Sequence, residues 1–512
     1  MSGVTLLAYA DRCGGNLATL RSVMLNDLQG FTGVHILPFF TPFDGDDAGF
    51  DPTDHLTVDP RLGTWADVRA LADAGFEVTA DLIVNHVSAN SPEFLDWLAR
   101  GPVSEHDGMF LTFDRVFGGR ATEADITAFY RPRPGLPFTA YEQADGTRRL
   151  VWTTFMPSQV DIDVLHPAGE AYLRRVIDTL ATGGVTTVRI DAVGYAIKTV
   201  GSDSFMTAET LQYVEHLTRL CRDAGLRVLV EVHAHYTQQM QIAPLVDLVY
   251  DFALPALLLH SLVRGTSDRL ARWLDIRPEN AITVLDTHDG IGVIDAGPIR
   301  VGGQLLEGLI THDEMAAIFA AAEVNTGGIS GQASVIPAWC ELPHQINATF
   351  YSALGRDDDT YLLCRAVQLF VPGEPQIYYV GLLAGVDDVE LWRSSGQGRD
   401  VNRHHYCQDE ITAALQRPVV QALRALIHLR TTHPAFTGSF SWEQAGTSGL
   451  SLTWANKSAR ASLTVNLALR SLRIVVSDVD HEDEYASVAE LALLGVTVFA
   501  DAGSSTTEKP HA

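Results

Sequence analysis

Apolar residues along the chain gather into short runs separated by stretches in which they recur every three or four positions. The runs are VTLLAYA (4–10), GVHILPFF (33–40), FEVTADLIV (76–84), VTTVRIDAV (185–193), LRVLVEVH (226–233), VDLVYDF (246–252), AITVLDTHD (281–289) and PQIYYV (375–380). Runs this short and this continuously apolar predict strands covered on both faces, and the three-to-four spacing between them predicts amphipathic helices. Several of those helices end in glycine just before the next run, as in LADAGFEV, LATGGVTTV and LCRDAGLRV. Glycine there supplies the left-handed cap that stops a helix. Eight such βα units predict an α/β fold, a TIM (β/α)8 barrel. The competing arrangement is an open doubly wound sheet. It is weakened because no glycine-rich phosphate loop opens a helix after the first run.

Two gaps are too long for simple loops, and long insertions at the C-terminal face of a barrel usually build its binding site. The barrel is expected to comprise residues 1–84, 166–290 and 355–434. One inserted subdomain would span 85–165 and a second 291–354. After residue 435 the pattern changes to alternation, as in LSLTWANKSARASLTVNLALRSLRIVV. That predicts a C-terminal antiparallel β domain over 435–506. The tail SSTTEKPHA reads as disordered.

Charge narrows the function. The 36 basic and 63 acidic residues leave a net charge of −27, which argues against nucleic acid and anionic membranes as partners. An anionic substrate would need local cations. The N-terminus has no basic segment leading into a long apolar run, and no stretch is long enough to span a bilayer. Five scattered cysteines outside metal spacing fit a reduced, cytoplasmic protein.

Charged residues cluster where the strands should end: Asp81, Asn85 and His86 on the third, Arg189 and Asp191 on the fourth, Glu231 and His233 on the fifth, and Asp286, His288 and Asp289 on the seventh. In this fold those ends carry the chemistry. Arg189 and Asp191 are two apart and share a face, so the guanidinium would hold Asp191 ionised, as a nucleophile requires. Glu231 comes from the apolar VLVEVH, a setting that would raise its pKa and let it act as a general acid. Asp289 is a third carboxylate, able to stabilise positive charge. Two carboxylates about 5 Å apart suit retaining glycosyl transfer through a covalent intermediate. The rival readings are structural ion pairs at a barrel rim, and a metal site on His233 and His235. One H-x-H pair is a weak ligand set, so no metal and no cofactor is expected.

The stretches DLIVNH (81–86), VRIDAVGY (188–195), EVHA (231–234) and VLDTHD (284–289) occur in the order of the four motifs of the α-amylase superfamily, glycoside hydrolase family 13, which the chain resembles. HILPFFTPFDGDDAGFDPTDH (35–55), YRPRPGLPFT (130–139), VDIDV (160–164), VYDFALPALLLH (249–260), DTHDGIGVIDAG (286–297) and GRDVNRHHY (398–406) look like its sucrose phosphorylase branch. The resemblance implies Asp191 as nucleophile, Glu231 as general acid/base and Asp289 as transition-state stabiliser. It implies a glucosyl pocket lined by Asp47, Phe50, His86, Gln159, Arg189, Tyr195, His288 and Arg399, with Asp47 and Arg399 closing it behind one sugar. It makes inorganic phosphate a co-substrate, with Arg133 as its best cation.

The chain departs from the branch before the eighth strand. Sucrose phosphorylases carry Leu-Asp-Leu-Tyr-Gln there, and this chain has Glu-Leu-Pro-His-Gln at 341–345. Leu342 replaces the aspartate that contacts fructose and His344 replaces the tyrosine, while Gln345 is retained. The acceptor side would then comprise Arg133, His233, Leu342, His344 and Gln345. Loss of a carboxylate and gain of an imidazole that can carry charge near neutral pH suit a phosphorylated leaving sugar. The expected reaction is phosphorolysis of sucrose 6′-phosphate to α-glucose 1-phosphate and fructose 6-phosphate. The alternatives are unphosphorylated sucrose, or glucosylglycerol or glucosylglycerate. A plain α-glucosidase and a binding protein on a dead barrel are further rivals, the latter disfavoured because all three carboxylates are present. Monomer and homodimer both remain open.

Overall fold

In the computed structural model the described residues are 3–130, 135–301, 304–334, 336, 341–478 and 481–495. Eight parallel strands close into a barrel: β1 (Val4–Ala8), β2 (Phe31–Ile36), β3 (Glu77–Ile83), β4 (Thr187–Asp191), β5 (Arg227–Val230), β6 (Leu248–Asp251), β7 (Ala281–Thr283) and β8 (Glu374–Tyr378). Each pairs with its sequence neighbours and β1 closes against β8. The runs read as strands were right in place and type but too long. The fourth stops at Asp191, where Ala192 turns to φ 53°, and the seventh stops at Thr283, before the polar residues that leave the sheet for the cavity.

Helices cover the outside. The helix Pro167–Thr182 turns into β4 through Gly184 at φ 95°, where a Cβ would lie 3.2 Å from Arg69 Cα of the neighbouring helix. Glycine is needed there both for the backbone angle and for the close approach.

The barrel axis is not wholly apolar. His35 on β2 lies 3.2 Å from Asp81 Oδ2 on β3, Gln376 Nε2 on β8 lies 3.4 Å from His35 Nδ1, and Tyr250 on β6 donates to Gln376 Oε1 at 3.0 Å. Arg189 on β4 donates to Asp81 Oδ1 at 2.5 Å. These side chains are fully or almost fully buried, and their mutual bonds satisfy polar groups that water cannot reach. The network forms a floor under the strand ends.

Two long excursions rise from that face. Between β3 and β4 the chain forms the helix Pro92–Arg100, the hairpin Phe138–Glu142 with Arg148–Trp152, and Gln159–Asp161, which pairs with His86–Ser88. Lys198, just past β4, ties this excursion down. Its ammonium lies 2.8 Å from Asp161, 2.9 Å from Thr154 Oγ1 and 3.2 Å from Asn85 Oδ1, and it also donates to the Tyr195 carbonyl. Between β7 and β8 the helices His312–Asn325 and Ile329–Ala333 precede a two-residue pairing of Gln345–Ile346 with Ile291–Gly292. That pairing fixes the 341–347 segment over the end of β7.

Beyond the barrel a five-stranded antiparallel meander runs through β9 (Ser439–Ala445), β10 (Gly449–Asn456), β11 (Ala459–Asn466), β12 (Ser471–Ser477) and β13 (Glu482–Tyr485). Its alternating inward residues, such as Leu450, Leu452, Leu463 and Val465, are fully buried, and Trp454 donates to the Phe370 carbonyl of the barrel at 2.6 Å. No helix among the described residues is long and apolar enough to cross a membrane. The four described cysteines are free, and three are buried.

Candidate active site

The strand ends and both excursions enclose a cavity of about 980 Å³. Asp191, Glu231 and Asp289 all line it, from β4 and from the turns after β5 and β7. Arg189 lies beneath them. Its Nη1 is 2.9 Å from Asp191 Oδ1 and its Nη2 is 3.9 Å from Glu231 Oε1, so one guanidinium joins two carboxylates of the site to Asp81 below.

That sharing changes the electrostatics expected for Asp191. Burial, together with the charges on Glu231, Asp81 and Asp289, pushes its carboxyl up to about 8 against the pull of Arg189. The arginine spends its closest contact on Asp81. Burial would raise Asp81 too, but Arg189 and His35 outweigh it and hold Asp81 at about 2. Asp191 therefore competes for a proton, and Arg189 alone does not keep it ionised.

The setting of Glu231 is also not the apolar one its neighbours in sequence suggest. His233 Nε2 lies 3.4 Å away, besides Arg189 at 3.9 Å. Asp289 is drawn the other way: burial opposes its charge, but Arg399 and His233 overcome that and hold it well below the usual carboxylate range. Arg399 Nη1 sits 2.6 Å from Asp289 Oδ1, skewed from a directed hydrogen bond.

The wall residues divide into two groups. Asp47, Phe50, His86, Tyr195, His288 and Arg399 face the cavity. Phe50 stacks on His288 at 4.9 Å and 12°, and its carbonyl lies 2.9 Å from His86 Nε2. Burial keeps both His86 and His288 below their ordinary values, so both are neutral. Gln159 and Arg189, expected to line the pocket, are buried behind it. Gln159 Nε2 reaches Asp47 Oδ2 at 3.3 Å and His86 Nε2 at 3.1 Å, so it orients two lining residues without facing the cavity. Asp286, grouped with the strand-seven carboxylates, turns away into a buried ion pair with Arg365 at 2.6 Å.

On the acceptor side His233, His344 and Gln345 line the cavity. Leu342 does not: it packs partly buried against the hydrophobic core. Arg133 lies outside the described residues. His344 does not carry the charge expected of it, because burial pushes its imidazole below the ordinary histidine value. The charged imidazole is His233. Burial would lower it, yet Asp295, Asp289 and Glu231 outweigh that and lift it to about 10. The paired His235 turns from the cavity, bonded through Nδ1 to Thr237 and through Nε2 to the Glu307 carbonyl at 3.1 Å. The H-x-H pair is therefore no ligand pair. Among the described residues Glu231, His233 and Asp289 bring ligand atoms within 4.8 Å of one another.

Three lining aromatic residues and one buried acid were not singled out from the sequence. Tyr130 stacks on Tyr195 at 6.1 Å and 19°, while Phe155 and Phe205 flank the same ring. Asp295 is wholly buried beside His233. Its one sequence signal is an acid between apolar residues in GVIDAG.

Residues 24–239 match the α-amylase catalytic-domain model. Sucrose phosphorylase of Agrobacterium vitis is 49% identical over 93% of this chain and 97% of its own. The chain belongs to the sucrose phosphorylase group of the α-amylase family. Sucrose 6(F)-phosphate phosphorylase of Thermoanaerobacterium thermosaccharolyticum is 39% identical over 91% of this chain and 94% of its own. The crystal structure of sucrose 6F-phosphate phosphorylase from Thermoanaerobacter thermosaccharolyticum superposes with a TM-score of 0.86 at 36% identity, covering 95% of this chain and 98% of that one. This phosphorylase is thus a glycosyl-transferring enzyme acting with phosphate.

Proposed function

We propose that this phosphorylase cleaves sucrose 6′-phosphate to α-glucose 1-phosphate and fructose 6-phosphate with retention of configuration. The observation that carries the substrate is the acceptor wall: it presents the imidazoles of His233 and His344, and the 341–345 segment contributes no carboxylate to it. A phosphorylated leaving sugar meets hydrogen-bond donors there, with no acid from that segment to repel it.

The reaction runs by double displacement. Asp191 attacks the anomeric carbon while Glu231 protonates the glycosidic oxygen, and a β-glucosyl ester forms as the fructosyl unit leaves. Arg189, 2.9 Å from Asp191 Oδ1, pairs with the carboxylate as it attacks. Asp289, kept ionised by its cationic neighbours, stabilises the oxocarbenium-like transition state. Phosphate then enters, Glu231 takes its proton, and attack on the ester releases α-glucose 1-phosphate. Asp47, His86, His288 and Arg399 hold the glucosyl unit, with Phe50 and Tyr195 as its apolar walls.

Unphosphorylated sucrose is the second reading. The 49% identity to a sucrose phosphorylase and the uncharged state of His344 favour it. The deciding experiment incubates the enzyme with phosphate and either sugar and measures glucose 1-phosphate. A kcat/KM higher for sucrose than for its 6′-phosphate would overturn the leading substrate. Glucose release independent of phosphate would overturn phosphorolysis itself.

A further inference from the structure

We propose that Asp295 is a positioning residue that holds His233 as a charged clamp aimed at the incoming phosphate. The inference rests on the phosphorolysis described above and adds a residue to it.

The geometry is that of a side chain held from behind. The His233 ring stacks on Phe252 with centroids 4.0 Å apart and 17° between planes, so only its two nitrogen edges are free to act. Nδ1 lies 3.6 Å from Asp295 Oδ2, and Nε2 sits at the cavity wall between two carboxylates, 3.4 Å from Glu231 and 3.7 Å from Asp289. Neither His233 Nε2 nor Asp295 Oδ2 is within hydrogen-bonding geometry of a protein partner.

Asp295 is itself fixed. Its Oδ1 accepts the Ala234 N–H at 3.0 Å and lies 3.5 Å from Gln239 Nε2. Its backbone belongs to the short helix Ile294–Ala296, on the segment that pairs with Gln345–Ile346. Room for the carboxylate exists because residue 292 is glycine: a Cβ there would stand 2.3 Å from Asp295 Oδ2 and 3.6 Å from His233 Nδ1. A buried acid with one oxygen committed to the backbone and the other turned to an imidazole is the arrangement that orients a ring and favours its protonated form.

A cation at this place has a task. When phosphate enters, Glu231 and Asp289 still flank the glucosyl ester, in a chain of net charge −27. A phosphate entering beside Glu231 needs a donor whose charge does not depend on substrate. An imidazolium Nε2–H supplies both charge and direction. The other groups bearing on this imidazole are Arg189 beside Glu231, Arg399 and His288 beside Asp289, and His344, which senses the charge of Asp295.

The test is Asp295→Asn, which keeps the shape and the bond to Ala234 but removes the charge. KM for phosphate is expected to rise about tenfold or more, with kcat at saturating phosphate changing much less. The alkaline limb of kcat/KM for phosphate is expected to move down by about two pH units. Gly292→Ala, which displaces the same carboxylate by crowding, should give the same split. In wild-type protein carrying ring-¹⁵N histidine, with His233 assigned through His233→Asn, the ring should be doubly protonated at pH 8.

A neutral His233 ring at pH 7 in the wild type would overturn the proposal, whatever the variants do. So would an Asp295→Asn enzyme with unchanged phosphate KM and an unmoved alkaline limb. If the wild type needs no phosphate, phosphorolysis falls and the clamp with it. If the wild type needs phosphate and only the variant result fails, phosphorolysis stands and the clamp alone is lost.

Discussion

Arg399 Nη1 rests 2.6 Å from Asp289 Oδ1, across the mouth of the cavity and with the arginine side chain 40% exposed. A sugar that reaches Asp289 must therefore share it with Arg399 or move the arginine aside. Arg399 also leads the charges that hold Asp289 well below the usual carboxylate range against the effect of burial. Arg399→Gln should let that carboxyl rise. The acid limb of the kcat/KM profile for the donor is expected to shift to higher pH, with a loss at neutral pH of about a hundredfold. An unshifted acid limb would show that Arg399 binds sugar without tuning Asp289.

Asp191→Asn should abolish turnover and yet stabilise the fold. The wild-type carboxyl rises from 3.8 to about 8, mainly through burial, so the native state resists its ionisation. The sign follows from linkage: below about 4 the group is protonated folded and unfolded, and between 4 and 8 ionisation favours the unfolded chain. The asparagine variant escapes that penalty. Its melting temperature is expected to exceed the wild type's by a few degrees at pH 8, with the difference vanishing near pH 4. A variant less stable than wild type at pH 8 would mean that Arg189 stabilises the charge more than burial opposes it.

Glu231→Gln should separate leaving groups. An amide cannot donate the proton that an alkoxide needs, so turnover of the natural glucosyl donor is expected to fall by about four orders of magnitude. α-Glucosyl fluoride needs no such proton, and its kcat/KM is expected to fall by less than about tenfold. Equal losses on both donors would remove Glu231 from the role of acid.

The barrel was legible in the sequence because parallel strands buried on both faces read as continuous apolar runs. The carboxylates were legible because charge at the end of such a run has few explanations other than chemistry. What failed was the surroundings. Asp191 and Arg189 read as a pair because they lie two apart, but the partner that dilutes the pair, Asp81, enters from β3 by strand register. His344 read as a charge carrier because its type permits it, whereas its state is set by burial in the folded chain. Asp295 and Lys198 each act on residues distant in sequence, and the acid between apolar residues in GVIDAG does not say which residue it serves. Leu342 and His344 are two apart yet go to core and cavity, and nothing in the irregular loop fixed which.

Lys198 is the buried cation that joins the first excursion to the barrel through Asp161, Thr154 and Asn85. Lys198→Met keeps the stem and removes the charge, leaving Asp161 buried and uncompensated. Breaking a buried pair on one side costs about 3–5 kcal/mol, read as a lowered urea midpoint. Activity should fall as well, because Asn85 Nδ2 lies 3.3 Å from His86 Nδ1 and loses its anchor. A double variant with Asp161→Asn should recover part of the stability. A single variant as stable as wild type would mean that water takes the place of the ammonium.

His344→Tyr tests the substrate. His344 is uncharged at neutral pH because burial lowers it, so its contribution to a phosphorylated sugar is a hydrogen bond and not a full charge. Replacing it by tyrosine should reduce the ratio of kcat/KM for sucrose 6′-phosphate over sucrose by about tenfold. The same reasoning fixes the pH dependence. In the wild type the ratio should climb mainly below pH 6.5, because burial makes the ring titrate below the ordinary histidine value. A ratio that falls steeply between pH 6.5 and 8 would show His344 titrating in that window as an imidazolium, and would return the phosphate-binding charge to the loop.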